Sequence, residues 1–344
     1  MYVFGKEEEN MKTKVWFNHW FSTAYHFINS LKKEGYYVFA TNERDTCVYG
    51  INADEFYIEP VFDNGEAYVE WALDFATKHS INIFFVRRYM DAVVDNIELF
   101  ENKGIKVICP KDKAMFHLLN DKKASNEFIA SINACKTPEL MIVNTAEEFK
   151  IAYETMKEKY RKVCVKYNQD EGGQSYKLIG ERKPNMGRIS ENNGLVYTYD
   201  YVYECLKTEE KFKDLIVMPY LEGPEVSVDC LNTSKGLVAV ARFKLSNRVT
   251  LIETPDDLME IAENIAKHTK LNAPFNIQLR KHNGEWYFLE VNTRLSGGSW
   301  KAGYVGIDFA KLAVKDIMGE IEELPKAISK SLKLSNIENC IILK

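Results

Sequence analysis

Several features that mark whole classes of protein are missing from this chain. No apolar run reaches the roughly 20 residues needed to cross a bilayer. Basic residues are not in excess: 45 Lys and Arg face 50 Asp and Glu, for a formal net charge of −5. A chain of that balance lacks the basic surface that supplies most non-specific affinity for nucleic acid or acidic membrane, although a local basic pocket for phosphate stays open. Residues 1–10 carry Lys6, Glu7, Glu8 and Glu9 and no apolar core, so they read as a frayed extension rather than a signal peptide. Cysteines are few and scattered (Cys47, Cys109, Cys135, Cys164, Cys205, Cys230, Cys340), and none forms a CxxC pair. That pattern fits reduced thiols in a cytoplasmic protein, not a disulfide framework or a zinc site.

Catalytic signatures are missing too. There is no GxGxxG after the first strand, no GxxxxGK[ST], no HExxH and no GxSxG, and the six histidines are dispersed. What is there is an ordinary folded composition, 46% hydrophobic and 28% charged, in a chain whose 344 residues suggest two or three domains.

Residues 14–109 alternate short apolar runs with segments of helical spacing. Strands are expected at 14–18, 36–41, 81–86 and 106–108, and helices at 23–33, 66–79 and 91–103, with Gly35 at a helix C-cap. This predicts a parallel sheet covered on both faces. A single long helix is expected over 112–132, with Lys122 and Lys123 in its middle. Strands follow at 140–143 and 162–167 around a helix at 146–159, then a polar glycine loop at 168–175 and an aperiodic stretch at 182–194. The remainder is mostly antiparallel in pattern, with strands at 215–219, 225–231, 237–245, 275–281 and 285–291 and helices at 256–267 and 308–318. The expected division is an α/β domain over 1–110, a small α+β lobe over 111–213 and a larger α+β lobe over 214–344.

Three segments carry chemistry. In the hairpin about His282-Asn-Gly284, Glu290, Asn292 and Arg294 alternate and so share one strand face. Gln278 joins them only in one register. A two-residue turn pairs it with Leu289, on the opposite face; a three-residue loop with Gly284 as a bulge pairs it with Phe288, on the same face. Oxygen ligands with few carboxylates suit Mg2+; a solvent-facing polar strand is the alternative, and the following Leu295-Ser-Gly-Gly-Ser299 loop argues for a substrate nearby. Second, a strand ending at Pro219 and a Gly223-Pro224 turn leave the Pro219 carbonyl and the Leu221 N–H available to a flat base, or else form a plain connection. Third, Lys122 and Lys166 lie near Asp170-Glu-Gly-Gly-Gln-Ser175, where glycines let backbone N–H groups approach phosphate; a solvated surface position is the alternative for either lysine.

In chain order these pieces resemble the ATP-grasp superfamily, in its carbamoyl-phosphate-synthase-like branch. The resemblance rests on Tyr220-Leu-Glu-Gly-Pro-Glu-Val-Ser-Val-Asp229, Gln278 and Leu289-Glu-Val-Asn-Thr-Arg-Leu-Ser-Gly-Gly298. The start, Val15-Trp-Phe-Asn-His-Trp-Phe-Ser-Thr23, also resembles the ATP-grasp group associated with tellurite-resistance operons.

The resemblance implies a Rossmann-like pre-ATP-grasp domain followed by a two-lobed ATP-grasp fold. It implies ATP as substrate and Mg2+ as cofactor, with Mn2+ as a substitute. Lys122, Lys166 and the loop at Gly172 and Gly173 would contact the phosphates, with Arg242 and Lys244 as weaker candidates. Met218, Pro219, Tyr220 and Leu221 would form the adenine hinge, Glu225 would hold the ribose, and Gln278, Glu290 and Asn292 would bind the metal. Arg294, with Lys166, would serve the transferred phosphate. Two departures from the family pattern stand out: the phosphate loop is unusually acidic, and Asn292 is followed by Thr293 where Pro is usual, as in biotin-carboxylase-like relatives.

The implied activity is a ligase that activates a carboxylate or bicarbonate as an acyl phosphate and passes it to an amine or other nucleophile, releasing ADP and phosphate. Its partners would be small molecules and, by default, a second copy of the chain. The rival is a non-catalytic nucleotide-sensing module. His19, Arg44, Arg87 and Arg88, at expected strand ends, and Trp300 and Lys301 are candidate contacts for the acyl substrate. Adjacent arginines on a strand point oppositely, so at most one of Arg87 and Arg88 is expected to reach a ligand.

Overall fold

The structure, a computed structural model, describes residues 12–169, 175–181, 196–328, 331–337 and 340–342. Residues 170–174 of the glycine loop expected at 168–175 and the aperiodic stretch at 182–194 lie outside these, as does the N-terminal extension. Among the described residues there are three sheets, each with its own helices.

The first is parallel, as its alternating pattern predicts. β1 (Lys14–Asn18), β2 (Tyr37–Asn42), β3 (Glu55–Ile58), β4 (Ile83–Phe85) and β5 (Lys106–Ile108) lie in the order β3-β2-β1-β4-β5. β3 escapes the sequence pattern because it is an edge strand with no fully buried residue. On one face Trp16, Phe39 and Phe84 pack under α2 (Gly65–Lys78), the rings of Trp16 and Phe84 stacking at 4.0 Å. The other face carries Val15, Phe17 and Phe85 under α1 (Ala24–Lys33), whose C-terminus turns through Gly35 at φ +94°.

Two expected long helices are each two helices. The one expected at 91–103 breaks at Asn96 into α3 (Met90–Asp95) and α4 (Ile97–Glu101). The one expected at 112–132 breaks at Asp121 into α5 (Lys113–Asn120) and α6 (Lys122–Ser131). Asp121 leaves helical geometry (ψ 113°) so that its carboxylate can accept from the Ala124 N–H at 2.9 Å. A side chain that offers the backbone a local bond competes with helix continuation and favours a cap. Lys122 therefore opens a helix instead of sitting mid-helix.

The second sheet joins β6 (Met141–Val143), β7 (Val163–Tyr167), β8 (Lys177–Ile179), β9 (Val196–Tyr197) and β10 (Leu215–Pro219), in the order β6-β10-β7-β8-β9, beside α7 (Ala146–Lys159) and α8 (Tyr199–Leu206). β10 lies between β6 and β7, antiparallel to both. The division expected before residue 214 is thus too early: Leu215–Pro219 completes the small lobe, and the chain leaves it after Pro219.

The third sheet is antiparallel: β11 (Glu225–Thr233), β12 (Gly236–Lys244), β13 (Val249–Glu253), β14 (Phe275–His282), β15 (Glu285–Asn292) and β16 (Ser331–Ser335), in the order β15-β14-β11-β12-β13-β16. One face (Val226, Val228, Ile277, Leu279, Phe288) packs on α9 (Asp256–Thr269) and on residues of α5 and α6. The opposite face is polar from Glu225 to Asp229 and turns apolar at Leu231. There Leu231, Val240 and Ile252 enter one core with Phe17, Ile28 and Leu31 of the first unit and Phe309 and Val314 of α10 (Phe309–Met318). The first and third units therefore share a core, while the second keeps its own around Phe149, Met156 and Val217. No helix among the described residues is long and apolar enough to cross a membrane.

The link between the second and third units is tight at Gly223, whose φ is +155°. A Cβ there would lie 1.9 Å from the Lys281 carbonyl oxygen. Gly223→Ala is expected to lower stability by about 2 kcal/mol or more, read as a fall in thermal midpoint, whereas an unchanged midpoint would contradict this close approach.

Candidate active site

The polar face of the third sheet is assembled by an irregularity. Asn283 (φ 49°) and Gly284 (φ 86°) form a two-residue turn that pairs His282 with Glu285 and Leu279 with Phe288. Continued regularly, this would oppose Gln278 to Leu289 and hide it. Instead the register shifts between Leu279 and Gln278, Leu289 bulges out of the ladder, and Gln278 pairs with Glu290. The turn is the one that should have put Gln278 on the wrong face, and the bulge corrects it. Gln278, Glu290 and Asn292 thereby share a face, and Asn292 Nδ2 donates to Glu290 Oε1 at 3.1 Å.

Beneath this row lies a bonded buried network. Asp229, 2% exposed, accepts from Asn276 Nδ2 (2.9 Å), Ser296 Oγ (2.9 Å) and Arg242 Nη2 (3.0 Å), and also pairs with Arg242 Nε. Arg242, one of the weaker phosphate candidates, is bonded to Asp229 and Ser296 and does not line the cleft. Lys244 lies exposed at the end of β12, also off the cleft.

Opposite this face stands the second sheet. Strand alternation turns Val163, Val165 and Val217 onto α7, and leaves Cys164, Ile216 and Met218 on the other side, packed with Leu178, Ile142 and Tyr220. Lys166 shares that side, paired with Ile216, and its Nζ donates to the Leu289 carbonyl at 3.4 Å, a group of the bulge. Burial holds the Lys166 ammonium below lysine's usual pKa, Glu290 opposing and Lys122 reinforcing the shift. Lys122, 7% exposed, donates to the Asn168 carbonyl at 3.3 Å. At the hinge, Glu225 is ion-paired to Arg280, whose Nη1 also donates to the Leu221 carbonyl at 3.3 Å. The Pro219 carbonyl, expected to be free, accepts a weak bond from the Cys164 thiol at 3.7 Å.

The first sheet supplies the remaining wall. A cleft of about 650 Å3 is lined by His19, Arg87, Arg88 and Asp91 on that side and by Lys122, Glu290, Asn292 and Arg294 on the others. β4 ends at Phe85, so Arg87 and Arg88 lie past the strand and both line the cleft, against the strand-alternation expectation. Arg44 does not line it. Trp300 stacks on His26 at 3.7 Å beside a separate, smaller hollow, and Lys301 donates to Thr250 Oγ1 at 2.8 Å, so neither meets the cleft. Gly172 and Gly173 lie outside the described residues. Of the expected site residues, Lys122, Glu290, Asn292 and Arg294 line the cleft; Lys166 and Gln278 do not, but adjoin it through the Leu289 carbonyl and the pairing with Glu290, with Met218 and Tyr220 on the apolar face that carries Lys166.

Sequence reasoning missed Asn18, Phe21, Glu59, Asn276 and Arg280. Asn276 and Arg280 alternate with Gln278, a signal that was readable. Nothing local marks the other three. Glu59 is buried, with Oε1 accepting from Thr41 Oγ1 at 2.5 Å and Oε2 unbonded 4.0 Å from His19 Nδ1. Burial pushes its pKa up to about 7, with Thr41 and Arg88 partly opposing. A raised carboxyl pKa means that its contribution to stability is full at acid pH and is lost as pH rises through about 7. Glu59→Gln, which mimics the protonated form, should therefore gain thermal stability relative to the parent between pH 5 and pH 8, by on the order of 3 kcal/mol at most. A difference independent of pH would contradict this placement.

Comparison with known proteins bears on the fold. Residues 211–340 match the model of the family described as ATP-grasp in the biosynthetic pathway with Ter operon. No curated protein matches the chain. Among solved structures, the biotin carboxylase domain of Hydrogenobacter thermophilus 2-oxoglutarate carboxylase, solved with MgADP, ADP and bicarbonate, is 20% identical with a TM-score of 0.65, over 92% of this chain and 71% of that one. N5-carboxyaminoimidazole synthetase of Staphylococcus aureus, solved with ADP, is 16% identical with a TM-score of 0.66, over 92% of this chain and 81% of that one. Biotin carboxylase of Campylobacter jejuni, at 17% identity, has a TM-score of 0.65 over 91% of this chain and 72% of that one. The chain thus has the fold of these solved structures, and its residues 211–340 are similar to the ATP-grasp family whose model they match.

Proposed function

We propose that the chain is an ADP-forming, Mg2+-dependent ligase that converts a carboxylate or bicarbonate into an acyl phosphate and transfers the acyl group to an amine or other nucleophile. The observation that carries this reading is the Leu289 bulge. It brings Gln278, Glu290 and Asn292 to one face and presents its carbonyl to Lys166. A surface strand with alternating polar residues has no need of either arrangement. The relatives solved with ADP, MgADP or bicarbonate support the same reading.

Adenine would lie against the apolar side of the second sheet, beside Cys164, Ile216, Met218 and Leu178, with the Met218–Leu221 backbone at its edge. Glu225 would take the ribose with the carboxylate oxygen that Arg280 leaves. Lys122 and Lys166 would neutralise phosphate oxygens. The lowered Lys166 pKa fits a charge kept out of water until a phosphate joins it.

The three oxygen-bearing side chains, one of them a carboxylate, fit the donor chemistry of Mg2+, which fills its octahedron with phosphate and water. To serve, Asn292 would turn its amide so that oxygen, and not Nδ2, faces the Glu290 side. Bound there, Mg2+ would draw charge from the phosphoryl oxygens. Arg294 would hold the transferred phosphoryl group against the acid to be activated. Fixed positive groups around a transferring phosphoryl supply most of the catalysis in such reactions. The walls of the cleft would limit water's access to the acyl phosphate. A cytoplasmic setting and a homodimer belong to the same reading.

Glu290→Gln is expected to lower turnover on the order of 100-fold or more while ADP affinity without Mg2+ stays within about twofold of the parent. Phosphate release and nucleotide products, with pooled carboxylates, bicarbonate and amines, are the measurements. Equal turnover in the variant would remove Glu290 from the metal site. AMP and pyrophosphate as products would overturn the mechanism, and verified ATP binding with no turnover would favour a nucleotide-sensing module.

A further inference from the structure

The wall given by the first sheet holds polar groups that the nucleotide reading does not use. His19 and the Arg87–Arg88 pair follow β1 and β4, beyond the carboxyl ends of adjacent parallel strands, where open α/β sheets place ligands. Their backbone is held in uncommon conformations. His19 (φ 21°) and Tyr89 (φ 54°) are non-glycine residues with positive φ, each costing on the order of 1 kcal/mol or more.

Buried Asn18 imposes that geometry. Its Oδ1 accepts from the Arg87 N–H at 2.7 Å, and its Nδ2 donates to the Arg88 carbonyl at 2.9 Å and to the hydroxyl of fully buried Tyr68 at 2.5 Å. An over-determined, strained turn that presents two arginines is unlike a chance surface pair.

The side chains offer donors. The Arg88 guanidinium lies 2.9 Å from His19 Nδ1 and also pairs with Glu43 at 2.5 Å. A guanidinium can only donate, so Nδ1 carries the lone pair and the ring proton sits on Nε2. His19 is thus a donor at its other nitrogen, and burial together with Arg88 keeps the ring neutral to lower pH than usual. Arg87 Nη1 donates to the His19 carbonyl at 2.9 Å, and its guanidinium lies 3.9 Å from the Phe21 ring centroid. Arg294, from the facing wall, lies 5.0 Å from the same ring. One aromatic ring therefore holds two guanidiniums from different units at one end of the cleft. Among the described residues, the carboxylates lining the cleft are Asp91 and Glu290, and Glu290 is claimed by the metal row.

We propose that Arg87, Arg88 and His19 form an anchoring subsite for an anionic group, carboxylate or phosphate, on the substrate that meets the activated acid, apart from its reacting atom. The substrate's role rests on the ligase reading; the anion subsite itself does not. Arg87 and Arg88 bind by planar forks that suit either oxyanion, and Arg294, across Phe21, would sit between the anchored group and the phosphoryl end. The class of nucleophile implied is an amino acid or a phosphorylated amine, not a plain amine.

The test is titration of malonate and, separately, inorganic phosphate into the full chain saturated with ADP, repeated with Arg87→Gln, Arg87→Lys and Lys122→Gln. At least one anion should bind, and Arg87→Gln should weaken it about tenfold or more while ADP affinity is unchanged, which also reports an intact fold. Arg87→Lys keeps a charge over Phe21 but loses the fork, so it should fall between parent and Gln variant, and it stands in if Arg87→Gln does not fold. Tighter malonate assigns a carboxylate anchor, and tighter phosphate a phosphate anchor. Absence of binding by both anions, unaltered binding in the Arg87 variants, or loss with Lys122→Gln instead, would overturn the subsite. If ADP itself fails to bind, the ligase reading falls, and the same titrations on the chain alone still decide the subsite.

Discussion

Everything in the cleft depends on a core that two units own jointly. Phe17, Ile28 and Leu31 beneath the first sheet pack in one cluster with Leu231, Val240 and Ile252 of the third and with Phe309 and Val314 of α10. Burial of apolar surface on this scale cannot be divided between the units without exposing both. The wall bearing Arg87 and the wall bearing Glu290 are consequently set at a fixed separation by side chains that touch neither. Polar chemistry begins where this core ends. On β11 the change comes within three successive positions of one face, from Leu231 through buried Asp229 to Ser227.

Burying a carboxylate at that boundary demands partners, and Asp229 accepts four bonds from three of them. A buried charge is tolerable when its lone pairs are met, and here the carboxylate is met although Asn276 Oδ1 has no partner among the described residues. Asp229 fastens Arg242 on β12, Asn276 on β14 and Ser296 in the loop after β15, so the floor under Gln278 and Asn292 is held from three directions. Gly298 permits it: a Cβ there would meet the Arg242 guanidinium at 2.2 Å. The Leu289 bulge is the second device on this floor. A regular ladder would have bonded its backbone to the neighbouring strand; out of the ladder, its carbonyl meets the Lys166 ammonium from the other lobe.

The elements were legible where periodicity is strong. Ala146–Lys159 and Leu215–Pro219 are found as the apolar spacing places them, and the parallel first sheet follows from its alternation of strand and helix. The failures have local causes. Asp121 and Asn96 interrupt helices through side-chain bonds that an apolar period does not register, and β3 buries too little to leave a signature. The sheet to which β10 belongs is a matter of pairing partners distant in sequence. At the site, residue types on β15 and spacing were enough to nominate Glu290 and Asn292. The side on which Gln278 lies was not, because a two-residue turn and a bulge five residues beyond it cancel in their effect. Phe21, Asn18 and Glu59 act through neighbours brought from other strands, and an isolated Phe, Asn or Glu announces no such role.

The separate core of the second unit has a thermodynamic consequence. Phe149, Ala152, Met156, Val163, Val202 and Val217 pack among themselves and not with the jointly owned cluster. Losing that packing would cost the lobe its own cohesion and leave the rest of the molecule's apolar interior intact. Cooperativity is thus partitioned: one block holds two of the walls, and a smaller block holds the third. A molecule divided in this way can carry destabilising substitutions in the small lobe without endangering the scaffold that aligns its other two walls. Sequence drift in α7 and α8 would be filtered by lobe packing alone, while drift in α1 or α10 would be judged by both flanking units at once.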